Sequence, residues 1–270
     1  MSHSEYLLTD TANELERLRL QARVWEPETE AWLDRIGIQE GWRCLDLGCG
    51  AMGILGPLSK RAGKTGSVVG LDRDPQQLAA ARAYAAEHKL GNVEILLADG
   101  YASPLPSGTF DLVHVRFVFA PVGRDAALLA EMLRLAKPGG ILAIQEPDAA
   151  AWTCYPPHPE WDTLKNVILT AFRKGGGDFD AGRRTFGMLR QAGLEDVRMR
   201  AAVVALHDGH PYLRLPIQFA TSLRSRIVDG GLMREDELTA AIAACERRVG
   251  DAAISGMSFV VTQVSGRKHA

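Results

Sequence analysis

The spacing of apolar and polar positions changes period several times along the chain, and each change marks an element. Between residues 11 and 25, Leu15, Leu18, Val24 and Trp25 recur among charged neighbours at helical spacing. Pro27 then favours a fresh start, with Trp32, Leu33 and Ile36 on one face of a second helix over 29–36. From residue 43 short apolar runs alternate with amphipathic stretches. The pattern predicts strands over 43–47, 67–72, 93–98, 110–116 and 141–145, and helices over 53–62, 75–88 and 126–136. Asp74 stands where a cap for the second of these helices belongs, and Pro75 suits its first position. Such alternation implies right-handed crossovers and a mainly parallel sheet.

Beyond Glu146 the regularity fails. Residues 151–159 hold three prolines and two aromatic side chains and read as a loop over one edge of the sheet. Helices are expected over 160–174 and 181–192, separated by Gly175-Gly176-Gly177, and two last strands over 197–206 and 254–264. Between those strands, 210–249 reads as a helical insertion. The expected organisation is a single domain: a helical cap over 1–40, a core over 41–148, and a second half over 149–270 that carries the insertion.

The stretch Leu45-Asp46-Leu47-Gly48-Cys49-Gly50-Ala51-Met52-Gly53 reads as the end of a buried strand, a glycine turn and a helix start. By itself the glycine spacing also satisfies a dinucleotide fingerprint. Asp46 narrows it, because a pyrophosphate site would not welcome a carboxylate two residues before the turn. That placement suits a cationic ligand group. Nineteen residues beyond Gly53, the run Val68-Val69-Gly70-Leu71 ends in Asp72, where a second parallel strand would deliver a carboxylate to a ribose diol. Together they imply a nucleoside ligand.

At this point the chain resembles the class I S-adenosylmethionine-dependent methyltransferases, nearest to the ubiquinone/menaquinone-biosynthesis type. The resemblance rests on residues 45–53, Val69-Gly70-Leu71-Asp72, Ala98-Asp99-Gly100, Phe110-Asp111-Leu112-Val113 and Leu135-Ala136-Lys137-Pro138-Gly139-Gly140. It implies an α/β fold: a doubly wound, mostly parallel, Rossmann-like sheet of seven strands whose last pair is antiparallel, with N-terminal helices covering the cofactor and a helical insertion between the last two strands. It also implies that Asp46, Gly48 and Gly50 hold the methionine end of S-adenosyl-L-methionine, that Asp72 takes both ribose hydroxyls, and that Asp99, Gly100 and Tyr101 meet the adenine. Tyr6 or Gln21 is expected to touch the cofactor's amino-acid end, and Arg116 and Phe117 to lie near the transferable methyl group.

Composition changes this picture little. Apolar content of 46% and charge of 24% are those of an ordinary soluble protein, and a formal net charge of −2 gives no broad attraction to nucleic acid or an anionic membrane. Cys44, Cys49, Cys154 and Cys245 form neither a C-x-x-C pair nor a metal-ligand spacing, which fits a reducing cytoplasm and no bound metal. Residues 1–10 lack a cationic segment followed by an apolar one, and no run approaches the ~20 apolar residues of a membrane span.

Methyl transfer from a sulfonium is an in-line displacement, so alignment and desolvation dominate and a base is optional. Glu146 and His158 are the candidate catalytic groups on the acceptor side, with Asp148, Tyr155, His207 and His210 behind them. His114, within a strand, reads as a core histidine. After the fourth strand the chain runs Arg116-Phe117-Val118-Phe119-Ala120-Pro121. It lacks there both the histidine of many small-molecule members and the tetrapeptide of DNA amino-methyltransferases. The expected activity is methyl transfer to a small, cyclic or partly apolar metabolite, with Trp152, Tyr155, Tyr212 and Phe219 suited to the acceptor. The expected assembly is a monomer or homodimer. The alternatives are a nicotinamide-dependent oxidoreductase and a protein of the same fold that binds S-adenosylmethionine without methylating.

Overall fold

The computed structural model describes residues 11–269 and begins with one long helix, α1 (Thr11–Ile36). Pro27 lies inside α1 and does not end it. Two helices were expected here. The missing amide removes one backbone bond, and packing on both sides of the proline holds the helix straight through: Trp25 sits in one buried cluster, Trp32 and Leu33 in another.

Strand and helix then alternate as β1 (Arg43–Leu47), α2 (Leu55–Ala62), β2 (Ser67–Asp72), α3 (Pro75–Glu87), β3 (Val93–Leu97) and β4 (Phe110–Arg116). A single turn, α4 (Phe119–Val122), and α5 (Asp125–Leu135) lead into β5 (Ala136–Asp148). Asp74 caps α3 by accepting from Gln76 N at 2.8 Å and from Gln77 N, with Pro75 at the first position. Strands β1, β2, β4 and β5 are buried on both faces over most of their length, so their residues divide by parity between two cores. Leu45, Leu47, Val113, Val115, Leu142 and Ile144 pack with α5, while Cys44, Val68, Leu112 and Ala143 pack under α1, α2 and α3.

Past β5 come β6 (Thr153–Tyr155), α6 (Pro159–Lys174), α7 (Gly182–Gln191), β7 (Glu195–Ala202), β8 (Ala205–Leu206), α8 (Leu215–Ser222), α9 (Arg224–Asp229), α10 (Glu235–Val249), β9 (Ser255–Met257) and β10 (Val260–Arg267). The main sheet has seven strands in the order β3-β2-β1-β4-β5-β10-β7, with β10 antiparallel to both neighbours and the other pairings parallel. This is the expected doubly wound, Rossmann-like sheet with its antiparallel last pair and helical insertion.

Three details differ from the sequence reading. The two last strands are each broken, at 203–204 and 258–259, and their detached ends join β6 in a second sheet of order β6-β9-β8. That sheet converts part of the expected 151–159 loop into paired backbone. The fifth strand runs on to Asp148, which places Glu146 within the sheet and not beyond it. Among the described residues, no helix is long and apolar enough to cross a membrane.

Candidate active site

Strand order reverses between β1 and β4, and the crevice outside the carboxyl ends of these strands is where a sheet of this kind binds ligands. A cavity of about 500 Å³ opens there. Its glycine wall follows from steric need: Gly48 has φ +79°, and a Cβ on it would lie 2.6 Å from Val118 Cγ2. Gly53 has φ +45°, and a Cβ there would collide with the Asp46 carboxylate. Gly48 N and Cys49 N both donate to Leu71 O, at 2.7 and 2.9 Å, which pins the turn to β2.

Asp46 is buried at 1% exposure beneath this turn. Its Oδ2 accepts from Ile54 N at 2.9 Å, and its Oδ1 lies 2.8 Å from Nδ1 of His114. The other ring nitrogen of His114 lies 3.2 Å from Gln145 Oε1, and Gln145 donates to Thr29 Oγ1 at 3.2 Å. A buried polar line therefore runs from the glycine turn across β4 and β5 to α1. Asp72 accepts from Gly50 N at 2.9 Å and Asp74 N at 3.0 Å; burial pushes its pKa up while these amides pull it down. Asp99 accepts from Tyr101 N at 2.9 Å. Arg116 donates to Gly53 O at 2.9 Å, with burial lowering its pKa. Gln21 accepts from Arg17 at 2.9 Å.

All nine residues expected at the cofactor end, Gln21, Asp46, Gly48, Gly50, Asp72, Asp99, Gly100, Tyr101 and Arg116, line this one cavity. Tyr6 lies outside the described residues. The two candidate catalytic groups are placed otherwise. Glu146 is fully buried, accepting from Val118 N at 2.7 Å, Phe119 N at 2.9 Å and Ala120 N at 3.1 Å. Burial pushes its pKa up to about 8 against the pull of those amides. It holds the loop after β4 and does not line the cavity. His158 caps α6, its Nδ1 accepting from Trp161 N at 3.2 Å, and is also absent from the lining. Each lies near the carboxyl edge in sequence, but backbone amides have claimed each side chain.

Four aromatic residues were expected around an acceptor, and of these Phe219 alone lines the cavity. Trp152 is core, stacked on Phe179 at 5.4 Å between centroids; Tyr212 is buried and its hydroxyl accepts from Trp25 Nε1; Tyr155 points to solvent. Phe172, Phe179, Phe259 and Arg17 were missed as lining residues. The sequence signal available for them was weak: three phenylalanines on separate elements, brought together only by packing. Cys49 lines the cavity as a thiol, its pKa raised by burial and by Asp46 and Asp72. No group of three or more metal-ligating side chains occurs among the described residues.

A doubly wound sheet with a glycine turn over a buried aspartate, and further carboxylates after β2 and β3, defines the Rossmann-like methyltransferase class. Residues 38–171 match the family model described as a methyltransferase domain. The chain is 34% identical over 123 residues to nocamycin O-methyltransferase of Saccharothrix syringae, covering 46% of this chain and 44% of that protein. It is 34% identical over 143 residues to demethylmenaquinone methyltransferase of Shouchella clausii, covering 53% and 59%. The chain thus spans about half the length of these curated relatives. In fold it is similar to Haemonchus contortus phosphoethanolamine N-methyltransferase 2, with a TM-score of 0.61 at 14% identity, over 100% of this chain and 61% of that one. Residues 38–171 are thus a methyltransferase domain, and in sequence the chain is similar to S-adenosylmethionine-dependent methyltransferases of the menaquinone-biosynthesis type.

The residues present fit S-adenosylmethionine. Glycines at 48 and 53 let the turn close over Asp46 where a Cβ would strike Val118 or the carboxylate, Asp72 offers oxygens to a diol, and the aspartates suit a cationic ligand where a pyrophosphate would be repelled. That charge balance also sets aside the nicotinamide alternative.

Proposed function

We propose that the protein transfers the methyl group of S-adenosylmethionine to a small, partly apolar, cyclic metabolite. The reading assigns residues 41–148 to the cofactor, 1–40 to a cap, and 149–270, with the 210–249 insertion, to the acceptor side of a single domain. Asp46 and the Gly48–Gly50 backbone would hold the amino-acid end with Gln21 and Arg116. Asp72 would take the ribose, and Asp99, Gly100 and Tyr101 the adenine. When bound, the cofactor supplies the electrophilic methyl carbon. What the chain's own residues do is align the two reactants and exclude water. The absence of a carboxylate or imidazole among the described lining residues on the acceptor side fits a reaction driven by alignment. A cytoplasmic monomer or homodimer, with no nucleic acid or membrane partner, completes the reading.

One observation carries it: a single cavity joins Asp46 of β1, Asp72 of β2 and Asp99 after β3 to a wall of phenylalanines. Equilibrium titration with S-adenosylmethionine should give binding that Asp72→Ala weakens about 10- to 100-fold, the scale of hydrogen bonds to a charged group. Affinity untouched by that substitution would remove Asp72 from the site. Formation of S-adenosylhomocysteine with a supplied acceptor separates a methyltransferase from a protein that merely binds the cofactor.

A further inference from the structure

The cavity is chemically divided. Its carboxylates, Asp46, Asp72, Asp74 and Asp99, come from β1, β2 and the segments after β2 and β3. The opposite wall is built from Phe117, Phe172, Phe179, Phe219 and Phe259, delivered by the segment after β4, α6, the turn before α7, α8 and the approach to β10. Phe179 stands at the centre of that wall. Its ring meets Phe172 at 5.3 Å, Phe219 at 5.7 Å and Phe259 at 5.2 Å between centroids, each edge to face. It is 3% exposed and lines the cavity.

Behind Phe179 lies a second aromatic layer. Trp152 is stacked on it at 5.4 Å with the two planes 12° apart, is fully buried, and does not line the cavity. Among the described residues, the other ring contacts of Phe172 and Phe219 are all edge to face, so neither has a parallel ring behind it. The turn that carries Phe179 is tied down on both sides of the ring: Asp178 N donates to Ala120 O at 2.8 Å, and Asp180 accepts from Ala149 N at 2.9 Å. The ring is therefore a partition between the cavity and the indole. Removing it would leave an apolar space of ring size floored by the Trp152 face, and spaces of that kind stay dry and take aromatic ligands.

We propose that Phe179 sets how large a ring system the acceptor side admits: it ends the acceptor's apolar body at the first aromatic layer and withholds the Trp152 face from it. This rests on the methyltransferase reading above. It goes further by naming the specificity-determining residue that bounds the size of a planar acceptor.

The test uses the full chain saturated with S-adenosylhomocysteine and titrated with phenol, 2-naphthol and 2-phenanthrol, one hydroxyl on one, two or three fused rings. In the native protein 2-phenanthrol should bind no more tightly than the better of the two smaller probes, although it offers more apolar surface. Phe179→Ala should raise the affinity of 2-phenanthrol relative to phenol about tenfold or more, the scale of burying the carbons of one further ring. A crystal of that variant with the probe should show the added ring stacked on Trp152. Phe179→Leu, a milder truncation, should move the ratio the same way by less, and it decides the matter if the alanine variant fails to fold. Phe172→Ala removes an equal ring with no stacked neighbour behind it and should leave the ratio within about twofold. S-adenosylhomocysteine binding serves as the folding control, since neither residue is assigned to that end of the cavity. Native affinity that climbs steadily to three rings, binding of no probe, a ratio unmoved by the Phe179 variants, a gain equalled in Phe172→Ala, or a probe seated away from Trp152 would each overturn the inference. Failure of the native protein to bind S-adenosylhomocysteine would instead overturn the reading on which the inference depends.

Discussion

Asp46 stands under the glycine turn only because His114 and the Ile54 amide each hold one of its oxygens. Replacing His114 with Phe leaves a buried carboxylate oxygen and the Gln145 carboxamide without that partner. The cost of one unsatisfied buried polar group is about 1–3 kcal/mol. The variant should therefore unfold at lower denaturant, and should bind S-adenosylmethionine about tenfold more weakly as Asp46 turns. Unchanged cofactor affinity would confine His114 to a packing role. Glu146 makes the pH prediction. Burial raises its folded pKa from 4.5 to about 8, so the native state keeps a proton that the unfolded chain releases. The associated stability is fully present below about pH 4.5 and is lost as pH rises through about 8. Melting temperatures measured from pH 5.5 to 8.5 should fall for the native protein and fall less for Glu146→Gln. That variant should also be less stable throughout, because its amide nitrogen would face an N–H of the 118–120 loop.

The loop after β4 is the element on which the site turns. Phe117 takes φ +58°, a left-handed conformation costly for an aromatic residue. It is held there by its own amide donating to Gln145 O at 2.9 Å and by the Glu146 carboxylate gathering the next three amides. The reversal aims the Phe117 ring at Phe259 and into the cavity. Further on, Gly123 at φ +69° meets Gly176, and Asp178 N donates to Ala120 O at 2.8 Å, so the turn that carries Phe179 docks against this loop. A Cβ at Gly123 would strike the Gly176 carbonyl. Gly123→Ala should destabilise by about 1–3 kcal/mol and raise the acceptor's KM more than the cofactor's Kd, a split that steady-state kinetics and calorimetry resolve. Phe117 was expected beside the cavity, but the reversal that aims it and the docking of the 176–179 turn were not readable beforehand. Glu146 was placed past the strand because a continuous apolar pattern does not mark where a buried strand ends, and its amide partners belong to a loop with no period at all.

At the scale of the molecule, cofactor binding is coupled to stability. S-adenosylmethionine at about a hundred times its Kd should add about 2.7 kcal/mol, or roughly 5–10 °C in melting temperature for a chain of this size; no shift at saturation would mean no specific site. The sheet and the carboxylate-lined side of the cavity were legible because both depend on short-range rules. Parallel strands buried on both faces must be continuously apolar, and a turn that brings backbone against a ligand must be glycine. Asp46, Asp72 and Asp99 follow because each sits within a residue or two of a strand end. The acceptor end was not legible. Its phenylalanines come from five separated segments, α1 runs through a proline that locally should stop it, and the last strands trade their ends into a second sheet. Local preference costs of a few kcal/mol are overruled there by packing between residues far apart in sequence. What the sequence by itself determined is the order of strands and the carboxylates at their tips, since periodicity and turn chemistry are local. What only the tertiary structure decided is which side chains form the cavity's phenylalanine wall, because that depends on which backbone amides and rings have already claimed the others.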